Sequence, residues 1–249
     1  MIVRNEEANL PRCLASVRGL FDEIVVVDTG SVDRTKDIAL EFGARVFDFV
    51  WIDDFAAARN AALEQATGDY VFWLDADDVI EASEREKLKG LLGELRPAKH
   101  ETFVLRCVCN TSSNGMIVVD HPRLFPRLHN VSWEPRIHEV INPALERAGI
   151  PMTWTDIRIR HMGYVDPVVH EQKRQRNLML LQKELADRPD DPFIYYYLGT
   201  LSFEREQWQE ALGYFILSVA KWGTTQAIAC KLRVVLHRIT DLSSRLHPA

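Results

Sequence analysis

Three carboxylates fall within four residues at Asp75-Ala76-Asp77-Asp78, directly after the apolar run Tyr70-Val71-Phe72-Trp73-Leu74. Like charges at the end of an apolar strand repel one another and are costly to desolvate without a counter-charge. A divalent cation would resolve that conflict. Hard carboxylate oxygens suit Mn2+ or Mg2+, which bind through few protein ligands and leave positions open to diphosphate oxygens. The competing reading is a solvated turn with a helix cap, because Asp is common in both places, and the segment alone does not choose between them. Asp28 closes a second apolar run, Glu23-Ile24-Val25-Val26-Val27-Asp28, and is open in the same way. It could accept hydrogen bonds from the base or ribose of a nucleotide, or cap the helix beyond Gly30-Ser31.

The surrounding pattern says what must position these acids. Met1-Ile2-Val3 reads as the end of a buried strand, so short that the natural strand is expected to be clipped there, and a helix is predicted from Glu6 to about Leu20 on the spacing of Leu10, Leu14 and Val17. The β-branched run ending at Asp28 suits a parallel strand covered on both faces. A helix from about Asp33 to Phe42 follows, with Asp33 able to cap it and Gly43 to stop it. Arg45 to Phe49 reads as a strand, then Asp53 or Asp54 caps an alanine-rich helix, Ala56 to Ala66. Tyr70 to Leu74 is the next strand, and Ser83-x-x-Glu86 predicts a capping box opening a helix to about Leu95. Strands alternating with helices imply right-handed βαβ units and a mostly parallel sheet, where ligands bind at the carboxyl ends of the strands. Asp28 and Asp75 both stand at such ends.

After Glu101 the pattern changes. Two strands, Phe103 to Cys109 and Met116 to Val119, are predicted around a turn at Ser112-Ser113-Asn114-Gly115. Pro122 to Trp154 reads as site-forming loops, and Ile157 to Arg160 alternates like a strand. Beyond Pro167 the chain is helical, and Tyr195, Leu198, Gly199, Ala211 and Phe215 take the offsets of one tetratricopeptide helix pair between Pro192 and Gly223.

The 249 residues carry 36 acidic against 30 basic side chains, without strong blocks of either sign, which argues against a nucleic-acid partner. No run approaches a membrane span and the N-terminus lacks a signal-peptide layout. Cys13, Cys107, Cys109 and Cys230 have neither metal-ligand nor scaffold spacing, so reduced thiols and a cytoplasmic location are expected.

Four motifs occur in order: Met1-Ile2-Val3-Arg4-Asn5-Glu6-Glu7; Val26-Val27-Asp28-Thr29-Gly30-Ser31 followed by Asp33 and Thr35; Asp54-Phe55 followed by Arg59-Asn60; and Trp73-Leu74-Asp75-Ala76-Asp77-Asp78. Together they resemble the N-terminal half of a glycosyltransferase family 2 enzyme with the GT-A fold. More narrowly, the chain resembles the bacterial subgroup in which that domain precedes tetratricopeptide repeats. The resemblance implies an α/β GT-A domain over about residues 1–165 and a helical tetratricopeptide-like region over 166–249. It implies that Val3 and Arg4 line the base pocket, that Asp28 binds uracil or ribose, and that Arg59 approaches the base or diphosphate. Without a ligand, Arg59 would be a helix-surface ion pair with Asp54 or Glu64. The resemblance puts Asp75, with the adjoining Ala76, on the nucleotide and Asp77 on the metal, leaving Asp78 as a neighbour. Trp133-Glu134-Pro135-Arg136-Ile137-His138-Glu139 resembles the segment that supplies the base, which points to Glu139, with Glu134 in reserve. His161-Met162-Gly163-Tyr164 resembles the subgroup's His-x-Gly-Tyr and would put His161 on the metal, although a lone His is more often a buried hydrogen-bonding residue. Trp133 could stack on sugar or acceptor, with core packing the commoner role for such a residue.

The expected reaction is transfer of a sugar from a nucleotide-sugar donor, UDP-linked by the resemblance, to an acceptor hydroxyl or peptide side chain, with inversion and with Mn2+ or Mg2+ as cofactor. The acceptor is a peptide, a lipid-linked sugar or a glycan, and the helical region is a candidate site for a protein partner. Two rivals stand beside it. A nucleotidyltransferase would show a glycine-rich basic loop after the first strand, where Arg4-Asn5-Glu6-Glu7 is acidic and glycine-free. A non-catalytic interaction protein would not need Arg59, Asp75, Asp77 and a base together.

Overall fold

A computed structural model describes residues 1–110, 116–163 and 167–222. The predicted turn at Ser112 to Gly115, Tyr164, Gly223 and Cys230 lie outside those residues. The chain divides into two compact units, Met1–Val165 and Asp166–Ala249.

The first unit opens with β1 (Ile2–Val3), α1 (Leu10–Ser16), β2 (Val25–Asp28), α2 (Thr35–Glu41), β3 (Arg45–Asp48) and α3 (Phe55–Gln65). The three strands form a parallel sheet in the order β1-β2-β3, with Val3 opposite Asp28 and Asp28 opposite Asp48. Val26 and Val27 are buried in the central strand, Val26 in a cluster with Leu10, Leu14, Ile38 and Ala39. The helix predicted from Glu6 starts only at Leu10, because the residues before it are captured elsewhere. The amides of Asn5, Glu6 and Glu7 donate to Ser31 Oγ, Thr35 Oγ1 and Asp33 Oδ2, and Asn5 takes a left-handed φ of 55°. Pro11 then sits in the first turn, where its missing N–H is no loss. Asp54 caps α3 by accepting from the Ala57 amide at 2.8 Å. Gly43 closes α2 at φ 79°.

The rest of the unit is β4 (Tyr70–Phe72), β5 (Asp78–Val79), α4 (Ala82–Glu94), β6 (Thr102–Asn110), β7 (Met116–Pro126), α5 (Asn142–Arg147) and β8 (Met152–His161). These strands build a second sheet in the order β4-β7-β6-β8-β5. Its pairs are antiparallel except the parallel β6–β8. β4, which local pattern assigned to the parallel set, therefore lies against β7, with Val71 opposite Phe125 and Phe72 opposite Leu124. That choice rests on burying Phe125 and Leu124, more than fifty residues away in sequence. The predicted capping box does not form: Ser83 is inside the first turn of α4, and the N-cap is Glu81 without a side-chain bond. The segment expected to be loops holds the end of β7, all of α5 and the start of β8. Leu74, Leu88, Leu105, Leu124, Ile157 and Ile159 form one core cluster, while Trp73, Phe125, Trp133, Ile141 and Leu145 form another.

The second unit contains α6 (Pro167–Asp187), α7 (Pro192–Glu204) and α8 (Trp208–Trp222). Leu198, Ala211 and Phe215 are buried between α7 and α8. Gly199 allows the two helices to meet: a Cβ there would stand 2.7 Å from the Phe215 ring. No helix among the described residues is long and apolar enough to cross a membrane.

Candidate functional site

The site lies where β1, β2 and β4 end. Val3 is buried, and its carbonyl accepts from the Thr29 amide and hydroxyl, while Arg4 is exposed just beyond it. Asp28 is 1% exposed. Its Oδ1 accepts from the Gly30 and Ser31 amides at 2.9 and 2.8 Å, closing a turn and not capping a helix, because α2 starts only at Thr35. Its Oδ2 is buried and has no hydrogen-bond partner. Buried polar atoms are seldom left so, and an acceptor in this state suits a donor group supplied from outside the chain.

α3 carries Arg59 into the same region. Its Nη2 donates to Asp75 Oδ1 at 2.8 Å and its Nε to Glu139 Oε1 at 2.6 Å. The guanidinium lies 4.7 Å from the ring centroid of Trp73 and 5.0 Å from that of Trp133. Cation–π contacts of this kind strengthen when desolvated, and only 10% of the Arg59 side chain is exposed. The surface pairing with Asp54 or Glu64 is therefore replaced by a buried one. Burial disfavours the ionised form of Asp75, yet Arg59 and then Arg123 hold its carboxyl well below the usual carboxylate range. The Glu139 loop is fastened to α3 through Asn60, whose side chain accepts from the Trp133 amide at 2.8 Å and donates to its carbonyl at 3.1 Å. Glu139 joins the cluster; Glu134 instead pairs with Arg147 at 2.8 Å near the surface. Trp133, 6% exposed, packs in the core beside Trp73.

Asp77 and Asp78 behave differently from each other. Asp78 is fully buried: its Oδ2 accepts from Arg123 Nη1 at 2.8 Å and from the Asp75 amide at 2.9 Å, and its Oδ1 lies 3.0 Å from His161 Nδ1. It is thus no bystander but the hub of the loop. Asp77 Oδ1 lies 3.5 Å from the same His161 nitrogen, and the Asp77 carbonyl accepts from the Met162 amide at 2.8 Å, which ties the loop to the end of β8. Burial raises the Asp77 carboxyl above its ordinary value, and Asp75 and Asp78 add to the effect against an opposing contribution from His161. The hydrogen bond to Asp78 raises His161, with burial opposing it. His121, 5.9 Å from the Trp73 ring, is pushed down to about 4 by burial first and Arg123 second.

Four carboxylates (Asp75, Asp77, Asp78 and Glu139) gather with two guanidinium groups (Arg59 and Arg123), which leaves two negative charges over while His161 is neutral. One divalent cation would balance them. The candidate ligands for it are Asp77 and His161. A Cβ on Gly163 would lie 3.1 Å from His161 Nε2 and 3.9 Å from Asp77 Oδ2, so both atoms border the space the missing side chain leaves. The donor set of Asp77 and His161 therefore fits a divalent ion. A second cluster brings ligand atoms of Asp78, Cys107 and His161 within 4.8 Å of one another. There the cation is already present, because Arg123 reaches Asp78 and its Nη2 lies 3.7 Å from Cys107 Sγ. Burial pushes the Cys107 thiol up to about 12, so it stays protonated. Sequence reasoning missed Arg123, although an Arg between Pro122 and Leu124 in an apolar strand was the available signal.

A parallel sheet with acids at its strand ends, continued by a mixed sheet, is the GT-A-like α/β fold. The profile of glycosyl transferase family 2 matches residues 1–164, and the chain belongs to that family. Among curated relatives, it is 36% identical to a TPR repeat-containing protein of Synechococcus elongatus, over 81% of this chain and 51% of that protein. It is 27% identical to the SPbeta prophage-derived glycosyltransferase SunS of Bacillus subtilis, over 88% of this chain and 52% of SunS. The chain thus spans about half the length of the curated relatives it matches. Among solved structures, S. aureus TarS 1-349 aligns at a TM-score of 0.54 and 15% identity, covering 97% of this chain and 87% of that one. Glucosyl-3-phosphoglycerate synthase of Mycobacterium tuberculosis, in complex with Mn2+ and UDP-glucose, aligns at 0.52 and 17% identity, covering 74% and 76%.

Proposed function

We propose that the first unit transfers a sugar from a UDP-sugar to an acceptor hydroxyl or peptide side chain, with inversion at the anomeric carbon. The observation that carries this reading is the unbalanced carboxylate cluster at the strand ends, opening through Asp77 and His161 onto the space above Gly163. Val3, Arg4 and Asp28 would hold the nucleoside, the free Asp28 Oδ2 accepting from the base or ribose. Asp75, with Ala76 beside it, would meet the ribose on the face of its carboxylate turned away from Arg59. Asp77 and His161 would hold Mn2+ or Mg2+, and the bound ion would offset charge on the diphosphate. Family 2 membership and the likeness to a synthase crystallised with Mn2+ and UDP-glucose support this assignment.

Glu139 would act as base. The acceptor's O–H proton passes to its carboxylate, the freed oxygen bonds to the anomeric carbon, and the bond from that carbon to the diphosphate oxygen breaks. Arg59 serves both ends of this exchange, fixing Glu139 through Nε and Asp75 through Nη2. The acceptor class is a peptide, a lipid-linked sugar or a glycan. The α7–α8 pair would be a tetratricopeptide-like surface for a protein partner. Free Cys13, Cys107 and Cys109 suit a reducing, cytoplasmic setting. Calorimetry of UDP with and without Mn2+ tests the reading: metal-enhanced binding that disappears in Asp77→Ala is expected. UDP binding that ignores both Mn2+ and Asp77 would overturn it.

A further inference from the structure

Asp78 is fully buried, and three groups converge on it. Arg123 Nη1 and the Asp75 amide donate to Oδ2, and His161 Nδ1 stands at Oδ1. Arg123 is itself locked: its guanidinium lies 3.6 Å from the Trp73 ring centroid, Nη1 also donates to the Trp73 carbonyl at 3.3 Å, and only 2% of its surface is exposed. Trp73 in turn is held by its indole N–H on the Pro122 carbonyl at 2.7 Å. A carboxylate so gripped can only accept, so the nitrogen facing it must carry the proton. In the neutral imidazole the other nitrogen, Nε2, is then the bare one, and it is Nε2 that borders the Gly163 space shared with Asp77 Oδ2.

We infer that Asp78, clamped by Arg123 against Trp73, is the positioning residue that fixes the tautomer and orientation of His161, presenting an unprotonated Nε2 toward a divalent ion at Asp77. Carboxylate partners behind a ligating imidazole act in this way generally, and their loss typically lowers metal affinity about 10–100-fold. The ligand role of His161 rests on the proposed function; the tautomer does not.

Asp78→Asn separates the two. Arg123 and the Asp75 amide are both donors at Oδ2, so the carboxamide must place its oxygen there and turn its NH2 toward His161. Nδ1 is then forced to accept and the proton moves to Nε2. Nitrogen-15 NMR of the full chain at alkaline pH, with His161 identified through His161→Gln, is expected to show the Nδ1-protonated tautomer in the unaltered protein and the Nε2-protonated one in Asp78→Asn. Mn2+ affinity, read by titration of the ion's paramagnetic resonance signal, is expected to fall about 10–100-fold in the variant, with metal-free UDP binding unchanged. An Nε2-protonated His161 in the unaltered protein refutes the inference without any variant, which covers the case of an Asp78→Asn that does not fold. An unmoved tautomer in a folded Asp78→Asn refutes it too. If the unaltered protein binds no Mn2+ while the tautomer still switches, the metal reading fails and the positioning role of Asp78 stands.

Discussion

Replacing Arg59 by Met removes the side chain that joins Asp75 to Glu139, the proposed base. The guanidinium makes a 2.8 Å bond to Asp75 and a 2.6 Å bond to Glu139, in a position where 10% of its side chain is exposed. Removing one partner of a buried ion pair costs about 3–5 kcal/mol, because the charge left behind is uncompensated. The lost stacking on Trp73 and Trp133 adds to this, partly offset by sulfur–aromatic contacts of about 0.3–1.5 kcal/mol each. A loss of about 3–5 kcal/mol in local stability is therefore expected at neutral pH. The pH dependence has a definite sign. Asp75 is held below its unfolded-state value of about 3.9, so its stabilisation is complete above that value and is lost as pH falls through the lower folded-state value. Arg59→Met removes the largest cause of the depression and leaves that of Arg123, so the gap between the two proteins is widest at neutral pH and narrows as pH falls into the carboxylate range. Hydrogen exchange of peptides spanning Tyr70 to Ile80 reads the local opening energy without requiring both units to unfold together. A difference below about 1 kcal/mol at neutral pH, the scale of an exposed pair, would refute the buried-clamp reasoning, as would a gap that does not change with pH.

Two further substitutions probe close approaches. Gly163→Ala puts a methyl group 3.1 Å from His161 Nε2, so Mn2+ affinity is expected to fall about tenfold or more while metal-free UDP binding stays the same; equal losses in both would assign Gly163 to folding alone. Gly199→Ala drives a Cβ to 2.7 Å from the buried Phe215 ring. The overpacking cost of about 1–3 kcal/mol should exceed the roughly 1 kcal/mol gain in helix propensity, so circular dichroism melts should show earlier loss of helix, and a raised midpoint would contradict the packing account.

Much of the region from β1 to α3 was readable because its signals are local. β2 and Asp28 follow from one β-branched run and the residues beside it. The Asp54 cap and the helix carrying Arg59 follow from a polar residue before an alanine-rich stretch, and Asp54 does accept from Ala57. The α7–α8 pair is visible in the small and large residues that must interlock, Gly199 against Phe215. The misplaced features share the opposite property. The helix expected from Glu6 starts only at Leu10, because Asn5, Glu6 and Glu7 give their amides to side chains some 26 to 29 residues away. β4 looks like its parallel predecessors and pairs with β7 instead.

Residue types alone determined that acids gather at strand ends, that they outnumber nearby bases, and that Arg59 and Glu139 belong to motifs. Only the tertiary structure decided which acid faces which cation. Asp75 goes to Arg59, Asp78 disappears beneath Arg123 and Trp73, and Asp77 is left with His161 at the open space. Three nearly adjacent aspartates are chemically identical in a sequence. Their partners arrive from α3, β7 and β8, and in a buried site the partner sets the cost of each charge and so the work each carboxylate can do.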